Sequence, residues 1–486
     1  LWYITPATVD ASEPLNPAQN RAVQHPGGPL LILAGAGSGK TRVITHRLVE
    51  LHRRGVDPRR VLAVTFTNKA AGEMRERISR LLPGAGQALW IGTFHSICAR
   101  LLRRFSTRVG LPPDFVIFDD GDQMQLVNKA LRELDIDAKS VSARAVLSAI
   151  DRAKNAGKGP EEVSGDFFLD LVGRIYERYQ ERLREMSAVD FGDLLLLPLR
   201  LDDGTGGGPL GGLFDHVLVD EFQDVNHVQY RLLKLLAGRT RQLVVVGDDD
   251  QAIYAWRGAD VKLILGFQTD WPDASVVRLE QNYRSTPVIL QAANAVIAKN
   301  RDRHEKTLFS EQRGGPPIVV YTAESERGEA EFVATTIRSL AHEDQISVGD
   351  FAICYRTNAQ SRVLEEALRA HGIPYTVVGG MRFYDRAEVK DLLCYLRICQ
   401  NPADEVALRR VINVPPRGIG DATIDKLESR ARAGGVTLWQ ALSDAVHGDH
   451  ELLGAQARRR LRAFVELIEE LRVLGQQGDL AALADA

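Results

Sequence analysis

The residues best suited to chemistry sit at the ends of apolar runs. In "LILAGAGSGKT" (31–41) positions 34–39 are all small, and Lys40 and Thr41 follow at once. Backbone N–H groups can wrap phosphate oxygens only where side chains do not block the approach, so Ala36, Gly37, Ser38 and Gly39 read as a phosphate cradle. Lys40 then supplies a point charge to β and γ phosphates, and Thr41 supplies a hydroxyl for Mg²⁺, with Arg42 next to it. The strict pattern begins with glycine; Ala34 stands there and is small enough. "HVLVDEFQD" (216–224) delivers Asp220 and Glu221 at the end of a second apolar run. Asp220 suits Mg²⁺ held largely through water, and Glu221 suits polarising an attacking water. In "GDDDQAIYAWRGAD" (247–260) three aspartates and Gln251 suit polar chemistry, whereas Tyr254, Trp256 and Arg257 suit the flat face of a base. Asp248, Asp249 and Asp250 read as turn and network residues. Consecutive side chains at a strand end point different ways, which does not suit a metal cage.

These residues need a scaffold that gathers strand ends. "PLLILAG" (29–35), "VLAVTFT" (61–67), "HVLVDE" (216–221) and "QLVVVGD" (242–248) are continuous apolar runs separated by helix-like stretches. Strands buried on both faces of a parallel sheet read this way. A second series, "PIVVYTA" (317–323), "DFAICYR" (350–356) and "YTVVGG" (375–380), predicts a second α/β lobe. Residues 95–213 are mostly helical in pattern and end in the glycine-rich "DDGTGGGPLGG" (202–212), a flexible connector. After about 385 the pattern is helical again, and apolar residues at 461, 464, 465, 468 and 471 predict an amphipathic core helix.

With 486 residues, two to four domains are expected, and 44% apolar with 26% charged residues is a globular composition. Cys98, Cys354, Cys394 and Cys399 have no CxxC spacing, so neither a zinc site nor a disulfide framework is indicated, and a reducing interior fits. No apolar run approaches the roughly 20 residues of a membrane span. The start lacks the basic and apolar regions of a secretory signal, and the net charge of −3 gives no global hint of nucleic acid.

Taken in order, the motifs resemble those of superfamily 1 DNA helicases of the UvrD/PcrA/Rep group, from about Leu15 onward. "LNPAQ" (15–19) resembles the adenine-reading segment, with Gln19 on the base edge. "TFTNKAAGEM" (65–74), with Phe66, Thr67 and Asn68, and "GTFHS" (92–96), with Thr93 and His95, resemble DNA-contacting segments. "VDFGDLL" (189–195) resembles a stretch whose Phe191 stacks near DNA, and "QNYRST" (281–286) offers Tyr283 to adenine and Arg284 to the γ-phosphate. "PPRGIG" (415–420) resembles a duplex-contacting loop, with Gly418 and Gly420 forming a phosphate nest at a helix start.

The resemblance implies that Gln251 senses the γ-phosphate while Tyr254 and Trp256 stack on bases. Stacking is worth about 1–3 kcal/mol per base and tolerates any sequence. Arg257 then ties the loop to carboxylates or DNA. Arg356 and Asn358 in "YRTNAQ" (355–360) follow a second-lobe run and are well placed for a phosphate of the DNA, with a solvated loop as the second reading. His95 has a second reading as a structural histidine, and "RGIG" as an ordinary turn.

The implied fold is α/β: two RecA-like parallel-sheet lobes with two inserted helical subdomains. Residues 1–14 form an extension, 15–94 and 214–285 the first lobe, 95–213 one helical insertion, 286–384 the second lobe and 385–486 the start of the outer helical domain. The family's later threonine–histidine–alanine–lysine–glycine segment and its second arginine are not found, so the second lobe is expected to be incomplete. The implied activity is ATP- and Mg²⁺-dependent 3′→5′ translocation on single-stranded DNA and unwinding at junctions. A repair or replication-restart role, repair-protein partners and a cytoplasmic, nucleoid-associated location go with it. Rival readings are a helicase–nuclease subunit, a protein-stripping translocase, or a fragment that binds ATP and DNA without turnover.

Overall fold

A computed structural model describes residues 14–84, 86, 88–137, 141–202, 208–378, 387–448 and 453–476. Its centre is a six-stranded sheet of β1 (Leu30–Ala34), β2 (Val61–Thr65), β3 (Trp90–Thr93), β6 (His216–Val219), β7 (Leu243–Gly247) and β8 (Ser275–Leu279). The order is β3-β2-β6-β7-β1-β8 and every pairing is parallel. The four apolar runs of the first lobe are thus strands. Their lack of polar alternation has a simple cause. Leu31 and Leu33 enter one core with Phe94, Phe214 and Phe222, while Leu30, Ile32 and Ala34 enter another with Val43, Ile44 and Leu48. Both faces are covered, so both sets of side chains are buried.

Helices α1 (Pro17–Gln24), α2 (Lys40–Arg53), α3 (Asn68–Leu81) and α4 (Phe94–Phe105) flank the sheet. Between β3 and β6 the chain is mainly helical: α4, α5 (Asp120–Glu133), α6 (Ala143–Asn155), α7 (Phe167–Glu185) and α8 (Phe191–Leu196), with short strands β4 (Val116–Ile117) and β5 (Ala188–Val189) paired to each other. Helices α5, α6 and α7 share a core of their own around Phe118, Ile150, Tyr176 and Tyr179, while α4 and α8 pack into the sheet core. Part of the glycine-rich connector (203–207) lies outside the described residues. Its far end is anchored rather than loose, because Leu210 is buried in the sheet core. Helix α9 (His227–Ala237) follows β6.

The second-lobe strands are a point of difference. Residues 317–323 and 350–356 run without ladder partners, as does the described part of 375–380; 379–380 lie outside the described residues. Val320 is 88% exposed, and Ile318, Val319 and Tyr321 are exposed with it. An apolar run becomes a strand only when a neighbour accepts and donates its backbone hydrogen bonds, and among the described residues none does. Helices Glu326–Glu343 and Ser361–Ala370 are present beside them and share a small core. The described residues of 387–476 are mainly helical as expected, and Leu461, Phe464, Val465, Ile468 and Leu471 are buried in their core.

Candidate nucleotide site and adjoining nucleic-acid face

Ligands of open parallel sheets bind at the C-terminal ends of the strands, and the expected residues gather there. After β1 the loop turns at Gly37 (φ +68°) and Gly39 (φ +87°), left-handed conformations that favour glycine. Neighbours fill the space beside Gly37, where a Cβ would lie 2.6 Å from Asn282 Nδ2 and 2.7 Å from Arg284 Cβ. The loop is braced from several sides. Ser38 Oγ donates to Gly35 O (2.7 Å), Asn282 Nδ2 to Ala36 O (2.6 Å), and Tyr283 N to Gly37 O (2.9 Å).

Lys40 opens α2 and places Nζ 2.7 Å from Glu221 Oε2. Glu221 has φ +50°, uncommon for a residue with a side chain, at the turn that ends β6. Gln223 Nε2 also donates to Glu221 Oε2 (2.9 Å), and the Glu221 N–H donates to Asp220 Oδ1 (3.0 Å). Burial, and then the Glu221 charge, push the Asp220 carboxyl up to about 7; the same two causes push Asp224 to about 6. Lys40 is therefore outnumbered by carboxylates. Thr41 and Asp220 offer hard oxygen donors in an anion-rich place, which fits Mg²⁺, an ion that takes few protein ligands beside phosphate and water. No group of three or more His, Cys, Asp or Glu able to hold a metal occurs among the described residues.

Gln19 is fully buried. Its Oε1 accepts from Asn16 N (3.1 Å) and its Nε2 donates to Ser38 O (3.0 Å), so here it joins the helix cap to the phosphate loop. Asn16, passed over in the sequence, donates to Tyr283 Oη (2.8 Å) and Gln281 Oε1 (3.1 Å). Arg42 is buried in α2, and Arg284 is exposed beside the loop.

Next to this site lies an aromatic strip. The Phe66 and Tyr254 ring centroids are 4.9 Å apart, those of Tyr254 and Trp256 6.2 Å, and Trp256 is 74% exposed. The Arg257 guanidinium sits 4.9 Å from the Trp256 ring. His95 meets Phe191 edge-on at 5.7 Å, and burial followed by the Arg257 charge lowers the His95 pKa. Ile253, next to Tyr254 in the chain, is 71% exposed and carries no signal in the sequence beyond its place between Gln251 and Tyr254.

Thr67 and Thr93 are N-caps of α3 and α4, accepting from Ala70 N and Ser96 N, and Asn68 begins α3. Asp190 caps α8 and so places Phe191 in its first turn. Arg356 and Asn358 are exposed ahead of helix Ser361–Ala370. Gly418 (φ +69°) and Gly420 precede helix Asp421–Gly434, but Asn413 Oδ1 already takes the N–H groups of Arg417 (2.8 Å) and Ile419 (3.2 Å). The nest expectation therefore rests on Gly418 and Gly420 themselves.

A phosphate-binding loop after one strand and an Asp–Glu pair two strands away define a P-loop nucleotide-binding fold of the RecA-like kind. Residues 15–272 match the UvrD/REP helicase N-terminal domain and residues 277–472 the UvrD-like helicase C-terminal domain. The chain belongs to the UvrD/REP helicase family. It is 44% identical over 463 residues to the ATP-dependent DNA helicase PcrA of Bacillus subtilis (strain 168), covering 94% of this chain and 62% of that relative. Its identity to PcrA of Staphylococcus aureus (strain Mu50) is 44%, and to PcrA of Staphylococcus epidermidis (strain ATCC 12228) 43%, each with 94% of this chain and 63% of the relative covered. The chain thus spans less than two thirds of the length of these relatives.

Proposed function

We propose that the full-length protein is an ATP-dependent DNA helicase. It moves 3′→5′ along single-stranded DNA and opens duplex at junctions, in repair or replication restart, in the cytoplasm at the nucleoid and with repair-protein partners. The carrying observation is continuity. Lys40 bonds Glu221, Glu221 bonds Gln223, Gln223 Oε1 accepts from Asp248 N (3.0 Å), and Asp248 Oδ2 accepts from Gln251 Nε2 (2.5 Å), three residues before Tyr254. The nucleotide site and the stacking strip are thereby one connected unit.

In this reading the loop amides and Lys40 bind the β and γ phosphates, which releases Glu221 from its ion pair. Glu221 then accepts a proton from the water that attacks the γ phosphorus as the bond to the β–γ bridging oxygen breaks, giving ADP and phosphate. Thr41 and Asp220 would hold Mg²⁺, which would supply positive charge beside the phosphate oxygens. Tyr283, oriented by Asn16, covers the adenine, with Gln19 at its edge; Arg284 and Gln251 reach the γ-phosphate. Phe66, Thr67, Asn68, Thr93, His95, Phe191, Tyr254, Trp256 and Arg257 form the single-strand track, with Arg356 and Asn358 on the second lobe and Gly418 and Gly420 at the duplex. The domain division is first lobe 15–94 and 214–285, helical insertion 95–213, second lobe 286–384 and outer helical domain from 385.

The test is unwinding of duplexes with a 3′ or a 5′ single-stranded tail. ATP-dependent opening of the 3′-tailed substrate alone, lost in Lys40→Ala, is expected. Equal opening of both overturns the polarity, and none overturns the helicase reading. The unpaired apolar segments at 317–323 and 350–356 favour a second reading for residues 1–486 by themselves: binding of ATP and DNA without turnover.

A further inference from the structure

Three consecutive aspartates repel one another, and the triphosphate chemistry above uses none of them directly. Asp248, Asp249 and Asp250 nevertheless form a tight turn, because one cation sits among them. Lys306 Nζ lies 2.9 Å from Asp248 Oδ1, 2.8 Å from Asp249 Oδ1 and 2.8 Å from Asp250 Oδ2, with its side chain 2% exposed. Arg303 closes the far side with a bidentate pair to Asp250 (2.7 and 2.7 Å), and His304 N donates to Asp249 Oδ2 (2.7 Å).

The segment carrying these residues reaches the nucleotide loop as well. Phe309 N donates to Glu280 O (3.1 Å), Asn282 N donates to Phe309 O (2.7 Å), and Leu308 fills the space beside Gly35. Residues 303–309 therefore strap the phosphate loop and the aspartate turn together.

Asp248 is the shared node. Its N–H donates to Gln223, its Oδ2 accepts from Gln251 Nε2, and its Oδ1 faces Lys306. Three carboxylates oppose two cations, Lys306 and Arg303, so the Gln251 amide supplies part of the remaining compensation. If Gln251 turns to a γ-phosphate, Asp248 loses that donor and keeps Lys306 together with the Asp250 N–H of its own turn (3.2 Å to Oδ1), so Lys306 becomes its one side-chain partner among these contacts. The turn then tightens about Lys306, and Tyr254 and Trp256 follow within a few residues.

We propose that Lys306 is a positioning residue that couples nucleotide occupancy at Gln251 to the base-stacking turn Tyr254–Trp256. The inference rests on the reading of this site as a nucleotide-driven DNA motor. It adds the residue through which the two ligands communicate. Coupling of this kind is a ratio of affinities, commonly about 5- to 150-fold.

The experiment measures the Kd of the full-length protein for a fluorescent oligo-dT, with and without a non-hydrolysable ATP analogue. Wild type, Lys306→Met, Lys306→Arg and Lys306→Met/Asp249→Asn are compared. The double variant removes one charge of each sign and is the variant read if Lys306→Met does not fold. The expected result is that Lys306→Met binds the analogue, and DNA alone, to within about threefold of wild type. Its ratio of the two DNA affinities collapses to within about twofold of 1, and Lys306→Arg restores the ratio at least in part. A purely structural role would lower stability without moving that ratio. A wild-type ratio away from 1 that persists in the folded Lys306→Met or double variant overturns the inference alone. A wild-type ratio of 1 overturns the motor reading and the inference with it.

Discussion

At Trp256 a large aromatic ring is left 74% exposed on a turn whose Tyr254 packs against Phe66 and whose Arg257 lies over the indole. Such exposure forgoes burial worth about 1.5–3 kcal/mol for a large apolar side chain, which the base stacking proposed for Trp256 would recover. Trp256→Ala is expected to weaken single-stranded DNA binding by about 5- to 150-fold, the equivalent of one lost stack. Hydrolysis without DNA stays unchanged, and fluorescence titration beside a basal hydrolysis assay checks both. His95 supports Phe191 edge-on, and burial, followed by the Arg257 charge, lowers its pKa.

At the scale of elements, the turn Asp248–Gln251 and the segment 303–306 form a charge-dependent joint. Burial alone would raise the Asp249 carboxyl, but hydrogen bonds from His304 and Lys306 overcome it and hold the pKa well below the usual carboxylate range. Lys306 is moved upward: burial opposes the shift, and Asp249, Asp250 and Asp248 cause it. A carboxylate with a lowered folded pKa contributes stability that is complete above its unfolded value, about 4, and is lost as pH falls toward the folded value. A lysine with a raised pKa contributes fully below its unfolded value, about 10.4, and loses that contribution as pH rises through the folded value. The stability gap between wild type and Lys306→Met is therefore expected to be flat from about pH 5 to 9 and to shrink below about pH 4. Urea unfolding across pH measures it.

This joint also marks the limit of what the sequence discloses. The phosphate loop, Asp220–Glu221 and the first-lobe strands are local patterns and could be read directly. Lys306 stands 57 positions from Asp249, and Asn16 stands 267 from Tyr283, so their pairing is visible only once the chain has folded. The second-lobe runs erred the other way: apolar composition is local, but a ladder needs neighbours. At Gln19 the resemblance implies an adenine contact, whereas the hydrogen bonds of the structure go to Asn16 and Ser38.

Across the whole molecule, the helical insertion and the C-terminal helical region meet through charges. Arg397 donates to Asp122 Oδ2 (2.6 Å) and Asp404 Oδ2 (2.8 Å), Lys129 to Glu405 Oε2 (2.5 Å), Lys390 to Asp119 Oδ2 (3.1 Å), and Asn401 Nδ2 to Met186 O (3.0 Å). Arg397 is the hub because Asp404 is fully buried and Asp122 nearly so. Arg397→Met strands both carboxylates and is expected to cost about 3 kcal/mol in denaturant unfolding. Lys390→Met, which breaks a more exposed pair, is expected to cost less than about 1 kcal/mol.

The central claim is that one lobe joins a nucleotide site to a DNA track. Steady-state ATP hydrolysis by the full-length protein, with and without single-stranded DNA, tests it most directly. Stimulation by DNA of at least about tenfold is predicted, abolished in Lys40→Ala and lowered by roughly 10²-fold or more in Glu221→Gln with nucleotide binding retained. Hydrolysis that is indifferent to DNA, or that survives loss of Lys40, would contradict it.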